Sequence, residues 1–177
     1  MRGLMTDASE LVDREAIRDV VLRYCRGIDR LDRDLVRSCY HADAVDVHGS
    51  FSGTIDEYLE WVWHVLARYQ RSMHFVGNQL VEVNGTRAHC ETYGIAFHES
   101  ESTDPTRNLT TGFRFLDQFE DRRDGNGWRI ARRVAVTDWC RWFGPDTKWD
   151  VPEHLLQGSR GPGDPLYESR SWLDGGS

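Results

Sequence analysis

The sequence predicts an α+β fold in which three helices come first and a long, curved antiparallel sheet then wraps them, leaving a deep apolar pocket between the two layers. Two observations predict it. Up to about residue 71 the apolar residues recur every three or four positions, as one face of a helix requires, and beyond it the spacing falls to two, with turn dipeptides between the runs. Helices followed by hairpin-linked strands is also not the strand-helix alternation of a parallel sheet. At 177 residues the chain suits one domain around one core, expected over residues 1–143, with an irregular tail over 144–177 packed on it or on an oligomer partner.

Ile17, Val20, Val21, Tyr24 and Ile28 form the stripe of a first helix from Asp13, its expected N-cap, to about Ile28, with Gly27 near its end. A second, short helix runs from about Asp32 to Tyr40, and Ala44 to Val47 reads as a short strand ending at Gly49. Thr54 and Glu57 form a capping box that opens a third helix, whose stripe of Tyr58, Leu59, Val62, Val65, Leu66 and Tyr69 reaches about Arg71. Phe75, Val81 and Val83 then alternate with His74 and Glu82 up to the hairpin dipeptide Asn84-Gly85. Further strands follow at Arg87 to Glu99, Leu109 to Glu120 and, after the turn Asp124-Gly125-Asn126-Gly127, Trp128 to Trp142. Trp149 and Trp172 suggest that the tail packs on the body.

With 29 acidic against 22 basic side chains the net charge is -7, so a phosphate backbone or an anionic membrane is a poor partner and a largely apolar small molecule a better one. No segment approaches the ~20 apolar residues of a membrane span or resembles a signal peptide, so a cytoplasmic protein is expected. Cys25, Cys39, Cys90 and Cys140 contain no CxxC pair and read as small buried thiols. His41, His48, His64, His89 and His154 lack ligand spacing, so neither metal nor cofactor is expected. Asp32, Asp34, Asp43 and Asp46 read as caps and surface charges.

Gly49-Ser50-Phe51-Ser52-Gly53 has the outline of a nucleophile elbow but carries Phe51 at its apex, and the glycines at 125 and 127 precede no helix. What remains is Tyr24 and Asp29, five residues apart near the end of the first helix, and His74 on the strand face opposite Phe75. A carboxylate facing a histidine in an apolar pocket makes a general base, because it fixes the tautomer and stabilises the imidazolium. A buried tyrosine can donate to a developing oxyanion. Taken singly, Asp29 reads equally as a helix-end carboxylate and Tyr24 as core, Arg133 as a salt-bridged strand residue and His98 as a hydrogen-bonded structural histidine.

The helix Asp13-Arg14-Glu15-Ala16-Ile17 through Tyr24 and Gly27-Ile28-Asp29, the motif His74-Phe75-x-Gly77-Asn78 and Gly127-Trp128-Arg129-Ile130 resemble the SnoaL-like branch of the nuclear transport factor 2-like superfamily, over about residues 9 to 143. That branch includes scytalone dehydratase, bile acid 7α-dehydratase and hexachlorocyclohexane dehydrochlorinase. The resemblance implies a cone-shaped α+β barrel with a curved mixed or antiparallel sheet, and makes Asp29 and His74 a catalytic dyad with Tyr24 beside it. It also implies Arg133, His98, Asn78 and Phe97 as substrate-binding residues. The activity implied is a cofactor-independent lyase that abstracts a proton from carbon of a cyclic, largely apolar substrate such as a polyketide, steroid or aromatic precursor. An isomerase or aldol cyclase using the same base, or a non-catalytic binding or assembly subunit, is the alternative. A homodimer or homotrimer formed through the outer sheet face is expected, and Phe75, Tyr93 and Phe97 are expected to line the pocket with Tyr24.

Overall fold

The computed structural model describes residues 8–100, 108–143, 159–165 and 167. The elements are α1 (Ala8–Arg30), α2 (Arg33–Ser38), β1 (Tyr40–His48), β2 (Phe51–Thr54), α3 (Ile55–Leu66), β3 (Arg71–Asn84), β4 (Arg87–Glu99), β5 (Asn108–Asp121) and β6 (Trp128–Phe143). Six strands form one sheet in the order β2-β1-β6-β5-β4-β3. Every pairing is antiparallel except that of β1 with β6, which is parallel. The fold is α+β with a mixed sheet, as expected, but the sheet stays open, with β2 and β3 at its edges.

The inner face of the sheet carries Val81, Cys90, Phe113, Phe115, Phe119 and Ile130, and the stripe Ile17, Val20, Val21, Tyr24 and Ile28 of α1 is buried with them. Each such side chain contributes about 1.5–3 kcal/mol of transfer free energy on burial. In α3 the Oγ1 of Thr54 accepts from the Glu57 N–H at 3.4 Å while the Glu57 carboxylate accepts from the Thr54 N–H at 2.8 Å.

Several boundaries differ from expectation. α1 begins a turn earlier, so Asp13 lies inside it and accepts a hydrogen bond from Trp128 Nε1 at 2.8 Å instead of capping. It also ends later. Asp32 N–H reaches Gly27 O at 2.8 Å and Leu31 N–H reaches Ile28 O at 3.4 Å, a Schellman closure with Leu31 in the left-handed region at φ 55°. Gly27 serves a different purpose, since a Cβ there would stand 2.6 Å from Val36 Cγ2, and its absence lets α2 lie against α1. Asp32 caps α2 through the Leu35 N–H at 2.9 Å. Helix α3 stops at Leu66 rather than near Arg71, because the chain turns there to enter β3. Strand β1 spans Tyr40 to His48, longer than the alternation of apolar residues alone suggests, and the Gly-Ser-Phe-Ser-Gly stretch supplies β2.

The largest difference is a bulge in β3. Val76 pairs with Gly94 and Gln79 with Thr92, so two residues, Gly77 and Asn78, stand opposite one. Ser72, His74 and Val76 therefore share the inner face with Gln79, Val81 and Val83, although the parity of the numbering changes between the two groups. Phe75 and Tyr93 point outward, 66% and 44% exposed, with Met73, Leu80 and Ile95, so they do not line the interior. Cys140 is exposed near the end of β6, and the other three cysteines are buried. Among the described residues no helix is long and apolar enough to cross a membrane. Trp149, Trp172 and His154 lie outside the described residues.

Candidate active site

Strand β3 is an edge, so alternate backbone N–H groups along it have no strand to bond. At His74 that open N–H is taken by α1: Asp29 Oδ2 accepts from it at 2.8 Å, and Asp29 Oδ1 lies 2.7 Å from His74 Nδ1. One carboxylate thus clamps both the backbone and the ring of the same residue. The Schellman closure carries α1 far enough for Asp29 to sit in its last turn, and the inner parity of β3 aims the ring at it. The two side chains are 10% and 9% exposed. Burial works against the charge on Asp29, but the hydrogen bonds from the ring and backbone of His74, with the nearby Arg30, outweigh it and hold the carboxyl below the usual carboxylate range. With Nδ1–H directed at the carboxylate, Nε2 of His74 presents a lone pair.

Beside the His74 ring stand two other rings. Phe113 lies 5.9 Å and His98 5.7 Å from His74, centroid to centroid, both edge-on. Phe113 covers Gly94 so closely that a Cβ there would meet its ring carbon at 2.3 Å. His98 sits opposite Ser72 in the β3-β4 pairing, with its Nδ1 3.0 Å from Ser72 Oγ. Burial foremost, then the electrostatic effect of neighbouring His74, lowers the His98 pKa to about 3, so this imidazole is neutral.

Tyr24 is fully buried one to two turns before Asp29, in a second cluster. Its hydroxyl meets that of Tyr58 at 2.5 Å, and burial pushes its pKa up. The guanidinium of Arg133 lies 4.0 Å from the Tyr24 ring centroid and 3.9 Å from that of Phe115, and forks onto Asp117 with two bonds of 2.7 Å. Arg133 and Asp117 are both 0% exposed. Beside them Asp46, expected on the surface, is also 0% exposed and accepts from Tyr40 Oη at 2.8 Å. Its other oxygen stands 3.5 Å from Nδ1 of His48, whose ring stacks on Tyr58 at 5.5 Å.

The structure brings Asp29, His74 and His98 together and places Tyr24 and Arg133 in the neighbouring aromatic cluster. It does not bring Asn78 or Phe97 to the same place. Asn78 sits in the bulge, exposed, in an outer-face groove with Phe75, Tyr93 and Trp139, and Phe97 pairs with Met73 across the outer face. The bulge accounts for Asn78 and simple alternation from His98 accounts for Phe97. Sequence reading missed Ser72, Phe113, Tyr58, Asp46 and His48. Ser72 was within reach, being two residues from His74 on a strand. Among the described residues no group of three or more His, Cys, Asp or Glu side chains is placed to hold a metal ion.

The chain is similar to uncharacterized proteins of Mycobacterium tuberculosis and Mycobacterium bovis, with 29% identity over 136 residues, covering 75% of this chain and 90% of theirs. A solved scytalone dehydratase-like protein of Novosphingobium aromaticivorans superposes with a TM-score of 0.67 at 17% identity, covering 88% of this chain and 96% of that one. A hexachlorocyclohexane dehydrochlorinase of Novosphingobium barchaimii gives 0.68 at 18% identity, covering 80% and 96%. These two likenesses speak for the fold. Residues 9–134 match the SnoaL-like domain, and that span holds nearly all of α1 through the first half of β6 together with the Asp29–His74 pair, so the chain belongs to the SnoaL-like family.

Proposed function

We propose that this chain is a cofactor-independent lyase of the dehydratase type, acting on a cyclic, largely apolar substrate with a carbonyl group. The observation that carries the reading is the carboxylate clamp on buried His74, which engages only one of its ring nitrogens, with aromatic rings beside it. In this reading His74 Nε2 takes the proton from the carbon beside the carbonyl, and the C–H electron pair moves into an enolate. Asp29 stabilises the imidazolium so formed. His98, edge-on to His74, then receives the enolate oxygen. The enolate then expels hydroxide from the neighbouring carbon, and the imidazolium returns its proton to it, so that water leaves and the base is restored. Isomerisation or aldol ring closure starts with the same proton transfer and would use the same groups.

The test measures that shared first step. Deuterium uptake from heavy water at the carbon next to the carbonyl of 2-tetralone or 1-decalone, followed by proton NMR, reads proton abstraction whatever follows it. His74→Ala is expected to slow enzyme-dependent uptake by about 10²–10⁴-fold, the usual worth of a general base. Unaltered uptake in a folded variant would show that His74 is not the base.

A second copy of this chain is the partner best supported for the outer sheet face. Met73, Phe75, Leu80, Tyr93, Ile95 and Trp139 are exposed on it, an apolar surface that a lone soluble domain rarely displays. Sedimentation should give a dimer or trimer that Phe75→Glu dissociates. A wild-type protein of single-chain mass would end this proposal.

A further inference from the structure

After β6 the described chain resumes at Ser159 and returns to the site. Ser159 N–H donates to Asp164 Oδ2 at 2.7 Å, and Asp164 N–H bonds Gly161 O at 3.2 Å, closing a small loop. Buried Asp164 stands 3.4 Å from Nε of Arg30, the residue after Asp29. On the other side of the dyad, Arg160 of the same loop donates through one terminal nitrogen to Leu66 O at 2.8 Å and Tyr69 O at 2.5 Å, carbonyls at the end of α3. Its other terminal nitrogen donates to Ser72 Oγ at 2.8 Å.

A guanidinium has only donors, so Ser72 Oγ accepts at that bond, and its own proton is free to go to the next acceptor. That acceptor is His98 Nδ1, 3.0 Å away. Burial, His74, Arg160 and His48 together outweigh the attraction of Asp29 and keep the His98 ring neutral. A neutral imidazole that accepts at Nδ1 carries its proton on Nε2. His74 is the opposite case: its Nδ1–H is spent on Asp29, and its Nε2 is the acceptor. The T-shaped pair of imidazoles thus presents one lone pair and one N–H.

We propose that Arg160 is a positioning residue: by donating to Ser72 it sets His98 as the Nε2–H tautomer, so that the C-terminal segment turns the second histidine into a fixed hydrogen-bond donor for the substrate's carbonyl oxygen. This rests on His74 as the base, and it reaches outside the SnoaL-like span of residues 9–134. Ligands of this site would then pair an acceptor oxygen with an acidic C–H, a few ångströms apart.

The experiment is long-range proton-nitrogen NMR of the imidazoles in the full-length, histidine-labelled protein. His98 is expected to show a protonated Nε2 and a bare Nδ1, and to stay neutral between about pH 8 and pH 5, where an ordinary histidine titrates. Arg160→Met, which removes donor and charge at similar length, is expected to give a mixture of tautomers and to raise the His98 pKa. Deuterium uptake should fall about tenfold with it, the equivalent of one hydrogen bond. Arg160→Lys should restore the wild-type tautomer in part, and Ser72→Ala should reproduce the tautomer mixture without touching the tail, which keeps the test alive if Arg160→Met does not fold. A wild-type His98 protonated on Nδ1, or an unchanged His98 signal in both Arg160→Met and Ser72→Ala, overturns the proposal. Loss of the His74 assignment would leave these signals intact, so the two failures are distinguishable.

Discussion

Two buried carboxylates on the inside of this molecule each hold a nitrogen base, and they do opposite things with it. Asp117 grips Arg133 through a fork of two 2.7 Å bonds, both side chains are 0% exposed, and aromatic rings lie on the guanidinium at 3.9 and 4.0 Å. Asp29 grips His74 through one ring nitrogen and the backbone, which leaves the second ring nitrogen outside the clamp. Arginine does not release its proton in proteins, whereas histidine does so near neutrality. The first pair holds its charges in place and the second contains a group able to exchange a proton, and the two differ in partner, in open valence and in burial, 0% against 9–10% exposed.

The comparison can be sharpened by removing one carboxylate at a time. Asp29→Asn keeps an acceptor for the backbone N–H but withdraws the charge that stabilises the imidazolium. Deuterium uptake is expected to fall by about 10²–10⁴-fold while the fold persists, and uptake within threefold or so of wild type would erase the distinction between the pairs. Arg133→Met works on stability. It leaves Asp117 buried and unpaired, at a cost of about 3–5 kcal/mol in denaturant unfolding, and adding Asp117→Leu should recover most of that loss. A double variant as unstable as the single one would mean that the pair is more than an ion pair to the fold. The smallest effect concerns acid. Asp29 has a folded pKa below its unfolded one, so its contribution to stability is complete above about pH 4 and is lost as pH falls from there through the folded value. Unfolding followed from neutral to acid pH should show a steeper loss in wild type than in Asp29→Asn over that interval, and parallel curves would refute the clamp's stabilising role.

Much of this was legible in the sequence for physical reasons that can be named. The capping box at Thr54 and Glu57, the stripe on α1 and the hairpin at Asn84-Gly85 are local signals, and each lies where expected. Asp29 and His74, which are 45 positions apart, were recognisable only as a spaced pair in a family pattern. What was not legible depends on through-space partners. Asp46 looks like any surface carboxylate until Tyr40 is folded against it, and Gly27 looks like a helix end until α2 is seen to need its missing Cβ. No sequence rule marks Arg160 at all, because its partners are two backbone carbonyls and a serine hydroxyl about 90 positions away.

The bulge at Gly77 and Asn78 acts as a phase shifter. Upstream of it the strand is set so that Ser72 and His74 look inward, and downstream so that Val81 and Val83 do. Were the same residues paired without the bulge, a strand that kept Val81 in the core would turn His74 out to solvent and bring Met73 and Phe75 inside. The hydrophobic content of the interior would rise while His74 left it, whereas deleting either Gly77 or Asn78 would remove the bulge and leave both groups of side chains facing inward. The strand therefore carries two sets of inward-facing residues of opposite parity, kept in step by a single extra residue.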